Sequence, residues 1–181
     1  TALHLAVERE DKAGLVKLIR VGAKLDQPDN NGQSALYEAI ARKRIDLVEL
    51  LAQKGASLNM VDDARRSPLD WAIEQNCDRD FIARLKRLGA GNEPEPETKR
   101  TALHLAAQKG RTDLIEYFVE NGADINAQDR EGKTPLYAAI EAKNLAAVEK
   151  LPELGADPLR RNTDIRTPLH EIGRAAGMER V

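Results

Sequence analysis

One short phrase returns six times along these 181 residues, at Thr1, Ser34, Ser67, Thr101, Thr134 and Thr167: a hydroxyl residue, a small residue or proline, then leucine. The intervals are 33, 33, 34, 33 and 33 residues. A fixed period of this size constrains the fold more than any other feature, because one such unit cannot bury its own apolar face and must lean on its neighbours. The chain is therefore a stack of like units, an architecture that offers long surfaces to other macromolecules.

The phrases read Thr1-Ala2-Leu3-His4, Ser34-Ala35-Leu36-Tyr37, Ser67-Pro68-Leu69-Asp70, Thr101-Ala102-Leu103-His104, Thr134-Pro135-Leu136-Tyr137 and Thr167-Pro168-Leu169-His170. In the first five, apolar residues follow three and four places after the leucine, as in Ala39 and Ile40, which is one face of a short helix. The hydroxyl suits an N-cap, and proline suits the first helical position. A second apolar face then ends at Gly22-Ala23, Gly55-Ala56, Gly89-Ala90, Gly122-Ala123 and Gly155-Ala156. Glycine past a helix end closes it in the left-handed conformation. Each unit thus reads as helix, turn, helix and glycine stop, followed by a polar reversal such as Asp29-Asn30-Asn31-Gly32 or Asp129-Arg130-Glu131-Gly132.

Six phrases in register with five Gly-Ala stops resemble the ankyrin repeat family, whose unit is a finger plus two antiparallel helices. The resemblance covers the whole chain and implies an all-α-dominated solenoid of about five and a half repeats, at 1–33, 34–66, 67–100, 101–133, 134–166 and an incomplete 167–181. Departures are local. Pro152 is expected to shorten or kink the second helix of the fifth repeat, Gly14 to weaken that of the first, and Ile172-Gly173 breaks the apolar pair of the sixth. The single extra residue of the third repeat falls between its helices, around Asn76 to Asp80. At 91–100 the alternating Glu and Pro predict an extended loop in place of a finger. The near-constant phase favours one continuous stack, and two half-arrays joined by a linker are the alternative.

Aromatic residues make up 3% of the chain, so its interior must be built from Leu, Ile, Val and Ala. The net charge of -2 argues against a nucleic-acid or membrane role driven by bulk charge. No apolar run approaches the roughly 18 residues that span a bilayer, and Cys77 is the one cysteine, which suits a reducing compartment such as the cytoplasm. The chain begins inside a repeat without methionine and ends after the first helix of another, so it reads as a segment of a longer protein.

No catalytic constellation emerges. The family resemblance gives His4, His104 and His170 structural hydrogen bonds to the phrase's own hydroxyl and nearby backbone, which leaves no histidine for acid-base work. His170-Glu171 opens like a zinc-protease motif, but Arg174 stands where the second histidine belongs. Gly89-Ala90-Gly91 opens like a dinucleotide loop, but Pro94 replaces its third glycine. Cys77, in the loop with the extra residue, is expected to be an exposed and incidental thiol. No enzyme activity, cofactor, metal or small-molecule ligand is expected.

The resemblance implies binding to another protein through the fingers and the exposed face of each first helix, which line a concave groove. Just before the phrases stand Arg66, Arg100, Lys133 and Arg166, and eight residues after the hydroxyl come Arg9, Arg42 and Lys109. Stacked about 10 Å apart, these form two partly basic columns suited to an acidic partner surface, unless they serve only to solubilise. Trp71 is the aromatic candidate, half exposed near the groove. The other functional reading is a targeting or regulatory part of a larger enzyme or channel.

Overall fold

The computed structural model describes residues 1–91, 97–164, 166–168 and 170. Among them run ten helices: α1 (Ala2–Glu8), α2 (Lys12–Arg20), α3 (Ala35–Ala41), α4 (Ile45–Gln53), α5 (Pro68–Glu74), α6 (Arg79–Arg87), α7 (Ala102–Gln108), α8 (Thr112–Glu120), α9 (Pro135–Glu141) and α10 (Leu145–Glu153). The chain divides into two compact units, Thr1–Asn92 with α1 to α6 and Glu93–Val181 with α7 to α10.

Every first helix starts directly after a phrase hydroxyl. Thr1, Ser67 and Thr134 accept a hydrogen bond from the backbone N–H three residues on, and Ser67 forms a full capping box with Asp70. Leu36, Ala39 and Ile40 of α3 are buried, as are Leu69, Ala72 and Ile73 of α5 and Leu103, Ala106 and Ala107 of α7. The alanine lets neighbouring first helices approach, while each buried leucine contributes about 1.5–3 kcal/mol. In the first unit α1 packs on α2 and α3, α3 on α4 and α5, and α6 on α4 and α5; in the second, α7 packs on α8 and α9, and α10 on α8 and α9.

The second helices end as the Gly-Ala pairs require. Gly22, Gly55, Gly89, Gly122 and Gly155 all have φ between 85° and 107°, and the following alanine N–H returns to the last helical turn, as in Ala56 to the Leu51 carbonyl at 3.0 Å. The turn between the two helices of a repeat is also left-handed, at Glu10, Lys43, Asn76, Gly110 and Lys143.

Two expectations, at Pro152 and Cys77, are corrected. Pro152 does not shorten its helix: α10 has nine residues like its counterparts, because the missing N–H falls in the last turn. Gly14, expected to weaken α2, lies within its nine residues and donates its N–H to the Asp11 carboxylate at 2.8 Å. Cys77 is fully buried, its thiol 3.8 Å from the Ile40 carbonyl oxygen of the preceding repeat. The extra residue does lie between α5 and α6, since α6 starts one place later after its hydroxyl than the other second helices. Residues 92–96 of the Glu-Pro segment and Ile172-Gly173 lie outside the described residues.

Candidate functional site

The fingers are built on a carboxylate that stands five residues before the hydroxyl. Oδ1 of Asp29 accepts the N–H groups of Asn31 and Gln33, Oδ1 of Asp62 those of Ala64 and Arg66, and Oδ1 of Asp129 those of Glu131 and Lys133. Asn162 makes the same pair of bonds to Asp164 and Arg166 with its amide oxygen. Backbone bonds close each reversal, as from Asp62 N–H to the Arg66 carbonyl at 3.0 Å and from Arg65 N–H to the Asp62 carbonyl at 2.9 Å. Successive fingers then join edge to edge: Asp63 N–H donates to the Asn31 carbonyl, and Thr163 N–H to that of Glu131. Gly32 and Gly132 sit where this join is closest, since a Cβ there would come within 2.6 Å of Asp63 N or 2.9 Å of Thr163 N. Each of these fingers is thereby tied to its neighbour.

Three of the expected basic residues reach across from finger to helix by the same rule. Arg66 Nη1 donates to Glu74 at 3.1 Å, Arg100 Nη2 to Gln108 at 2.9 Å, and Lys133 Nζ lies 2.8 Å from Glu141, each eight residues on. Arg66 also grips the buried Asp62 carboxylate at 2.7 Å, and Lys133 meets Glu131 at 2.8 Å. Burial alone raises the Asp62 carboxyl, but the Arg66 guanidinium and the Gln33 amide outweigh it and hold the group below the usual range. For Lys133 burial works against the charge, and its two carboxylates override it to hold the ammonium above the usual value. The expected partly basic columns thus include carboxylates, Asp62, Glu74, Glu131 and Glu141, beside their cations. Arg42 likewise bonds Glu38 at 2.6 Å, while Arg9, Lys109 and Arg166 are exposed.

Trp71 is half-buried. Its Nε1 donates to the Tyr37 carbonyl at 3.2 Å, its ring lies 6.4 Å from that of Tyr37, and the Arg66 guanidinium covers it at 4.3 Å. In the second unit a cleft of about 510 Å³ opens between the finger and the first helices, with Arg100, Gln108, Lys133 and Glu141 around Ala138 and Ala142. Those two alanines explain the space: the places of Ala138 and Ala142 hold Glu38 and Arg42 in the second repeat.

The histidines are occupied. Nδ1 lies 2.6, 2.8 and 2.7 Å from the phrase hydroxyl at His4, His104 and His170, and Nε2 of His4 and His104 reaches the Gln33 and Lys133 carbonyls of the next finger. Burial pushes His104 below the usual imidazole value, so it serves as a neutral connector. Tyr37 takes the same role, its hydroxyl 2.6 Å from the Arg66 carbonyl oxygen. No group of three His, Cys, Asp or Glu among the described residues is arranged to hold a metal ion.

Repeated helix pairs, hydrogen-bonded fingers and a row of exposed side chains define a binding array, and the comparisons agree. The profile of ankyrin repeats (three copies) matches residues 3–89 and 78–162, and the chain belongs to the ankyrin repeat family, a protein–protein interaction module. It is 37% identical over 125 residues to human ankyrin repeat and SOCS box protein 6, covering 65% of this chain and 30% of that protein. With NF-kappa-B inhibitor alpha of Sus scrofa it shares 30% over 143 residues, 70% of this chain and 43% of that protein. The chain thus spans less than half the length of these curated relatives. Among solved structures, the ankyrin repeat domain of Bcl-3, described as a member of the IkappaB protein family, superposes with a TM-score of 0.83 at 27% identity, over 98% of this chain and 81% of that one. Embedding in larger proteins is the common setting of these relatives.

Proposed function

We propose that this segment recognises its protein partner with the finger and first-helix surface, and that the cleft over Ala138 and Ala142 receives a protruding side chain of that partner. The observation that carries the reading is the cleft of about 510 Å³, walled by residues whose positions are fixed by finger-to-helix bonds. A pre-formed concavity with an apolar floor and polar walls is the usual form of a binding hot spot, because filling it requires little ordering of the receiving surface. Arg100 and Lys109 suit carboxylates of the partner, while Glu97 and Glu141 suit its cations, so the partner surface is of mixed charge rather than uniformly acidic.

The same reading assigns the segment no catalysis: His4 and His104 are engaged as connectors, and Arg42, Arg66 and Lys133 of the groove are paired with carboxylates. Nucleic acid is disfavoured as a partner by the net charge of -2 and by that pairing. The lone cysteine supports residence in a reducing compartment such as the cytoplasm. The test is hydrogen exchange on a complex with a binder selected from a displayed peptide library. Protection is expected on α7, α9 and the Asp129 finger; protection confined to α8 and α10 would contradict the proposal.

A further inference from the structure

The last residue of the second helices is basic or neutral in the first unit and acidic in the second. It is Arg20 in α2, Gln53 in α4 and Arg87 in α6, but Glu120 in α8 and Glu153 in α10. Four places after the helix end, the first repeat has Lys24, whereas the fourth and fifth have Asp124 and Asp157. Lys54, the C-cap of α4, adds a further cation to the first set. All of these charged residues are exposed. Arg20, Lys24, Lys54 and Arg87 take part in no ion pair among the described residues.

The helix ends form continuous strips. In the first unit Ser57 N–H donates to Asp26 at 2.8 Å and Gly91 N–H to Asn59 at 2.8 Å, which joins the three turns after α2, α4 and α6. In the second unit Asp157 N–H donates to Asn126 at 2.8 Å and joins the turns after α8 and α10. Cations complement the partial negative charge of a helix C-terminus, so the basic strip alone could be explained by helix stability. The second unit removes that explanation, because the same fold is built there with carboxylates that oppose the dipole. Lys150 lies 2.7 Å from Glu116 and 3.4 Å from Glu153 of the acidic strip.

We propose that the basic strip of the first unit docks on the acidic strip of the second unit in another copy of this chain. The two strips occupy equivalent places in the repeat, so their charges share one pitch of about 10 Å and fall in register when the strips meet. A net charge of -2 leaves little overall repulsion between copies. This contact is separate from the groove and leaves it open to a different protein.

Sedimentation velocity on the 181-residue chain tests the proposal at about 0.01 M and about 1 M salt, where the screening length falls from about 30 Å to about 3 Å. The wild type is expected to associate at low salt and to dissociate at high salt. Arg20→Glu/Arg87→Glu and Glu120→Arg/Glu153→Arg should each weaken self-association by at least about tenfold, and an equimolar mixture of the two should restore it, with circular dichroism confirming that both fold. Three results overturn the idea: a wild type that stays monomeric at low salt, association that survives the reversals, or a mixture that does not recover. A monomeric chain that is nonetheless held by immobilised poly-glutamate through Arg20 and Arg87 assigns the strip to an unrelated acidic protein. Ala142→Arg should leave this association unchanged, so its outcome is read separately from the groove.

Discussion

The guanidinium of Arg66 lies 4.3 Å above the ring of Trp71, held there by Asp62 on one side and Glu74 on the other. Trp71 is the one tryptophan of the chain, so its emission reports this arrangement cleanly. Arg66→Ala is expected to uncover the ring and shift its emission to the red. It should also cost about 1–2 kcal/mol, the larger value for a buried pair being reduced because Arg66 is 31% exposed. Fluorescence of the folded variant and a denaturant melt measure the two effects.

Asp62 separates turn from charge. Asn162 shows that an amide oxygen suffices to accept the two finger N–H groups, so Asp62→Asn should keep the finger and lose the bonds that Oδ2 accepts from Arg66 and from the Gln33 amide, whereas Asp62→Ala loses both sets. The expected costs are about 1 kcal/mol and about 2–3 kcal/mol. Because the folded carboxyl is held below its unfolded value, its stabilisation is present above about pH 4 and is lost as pH falls through the folded value. Melts from pH 7 downwards should therefore show a shallower acid limb in Asp62→Asn than in the wild type.

Two cap hydroxyls should respond oppositely. Ser67 accepts from Asp70 N–H at 3.1 Å and its own hydroxyl donates to that carboxylate, so Ser67→Ala should cost about 0.5–2 kcal/mol. Ser34 is fully buried and its hydroxyl has no hydrogen-bond partner among the described residues, so Ser34→Ala should be neutral or stabilising. Urea midpoints of the two variants decide it.

Much of this architecture is legible in the sequence because its signals are local. The hydroxyl, the leucine and the Gly-Ala pair each act within four residues of their own helix, and they mark all ten helices. The finger acceptors carry an equally regular signal, the carboxylates of Asp29, Asp62 and Asp129 and the amide of Asn162 five places before the hydroxyl, which repeat counting from the phrase alone passes over. The pairing of Arg66 with Glu74 and of Lys133 with Glu141 is also periodic, at eight residues, but only the folded finger shows that such a separation brings side chains together. Cys77 could not be placed from its own neighbourhood. Its thiol packs 3.8 Å from the carbonyl oxygen of Ile40, 37 residues earlier, a contact with the preceding repeat that the local sequence does not show.

Burial makes Cys77 a direct probe of local opening. Its thiol should react with an aromatic disulfide reagent only when the α5–α6 turn opens, at a rate well below that of an exposed cysteine, and denaturant should restore full reactivity. Immediate labelling of the native chain would contradict the packed position.

The groove account turns on Ala142, an exposed residue at the floor of the cleft. Titration of one selected binder against the wild type, Ala142→Arg and Glu149→Arg compares a filled cleft with a charge change on the outer helix α10. The account predicts that Ala142→Arg weakens binding by at least about tenfold, while Glu149→Arg binds as the wild type does and both melt within about half a kcal/mol of it. Unchanged affinity in the folded Ala142→Arg variant would contradict the account.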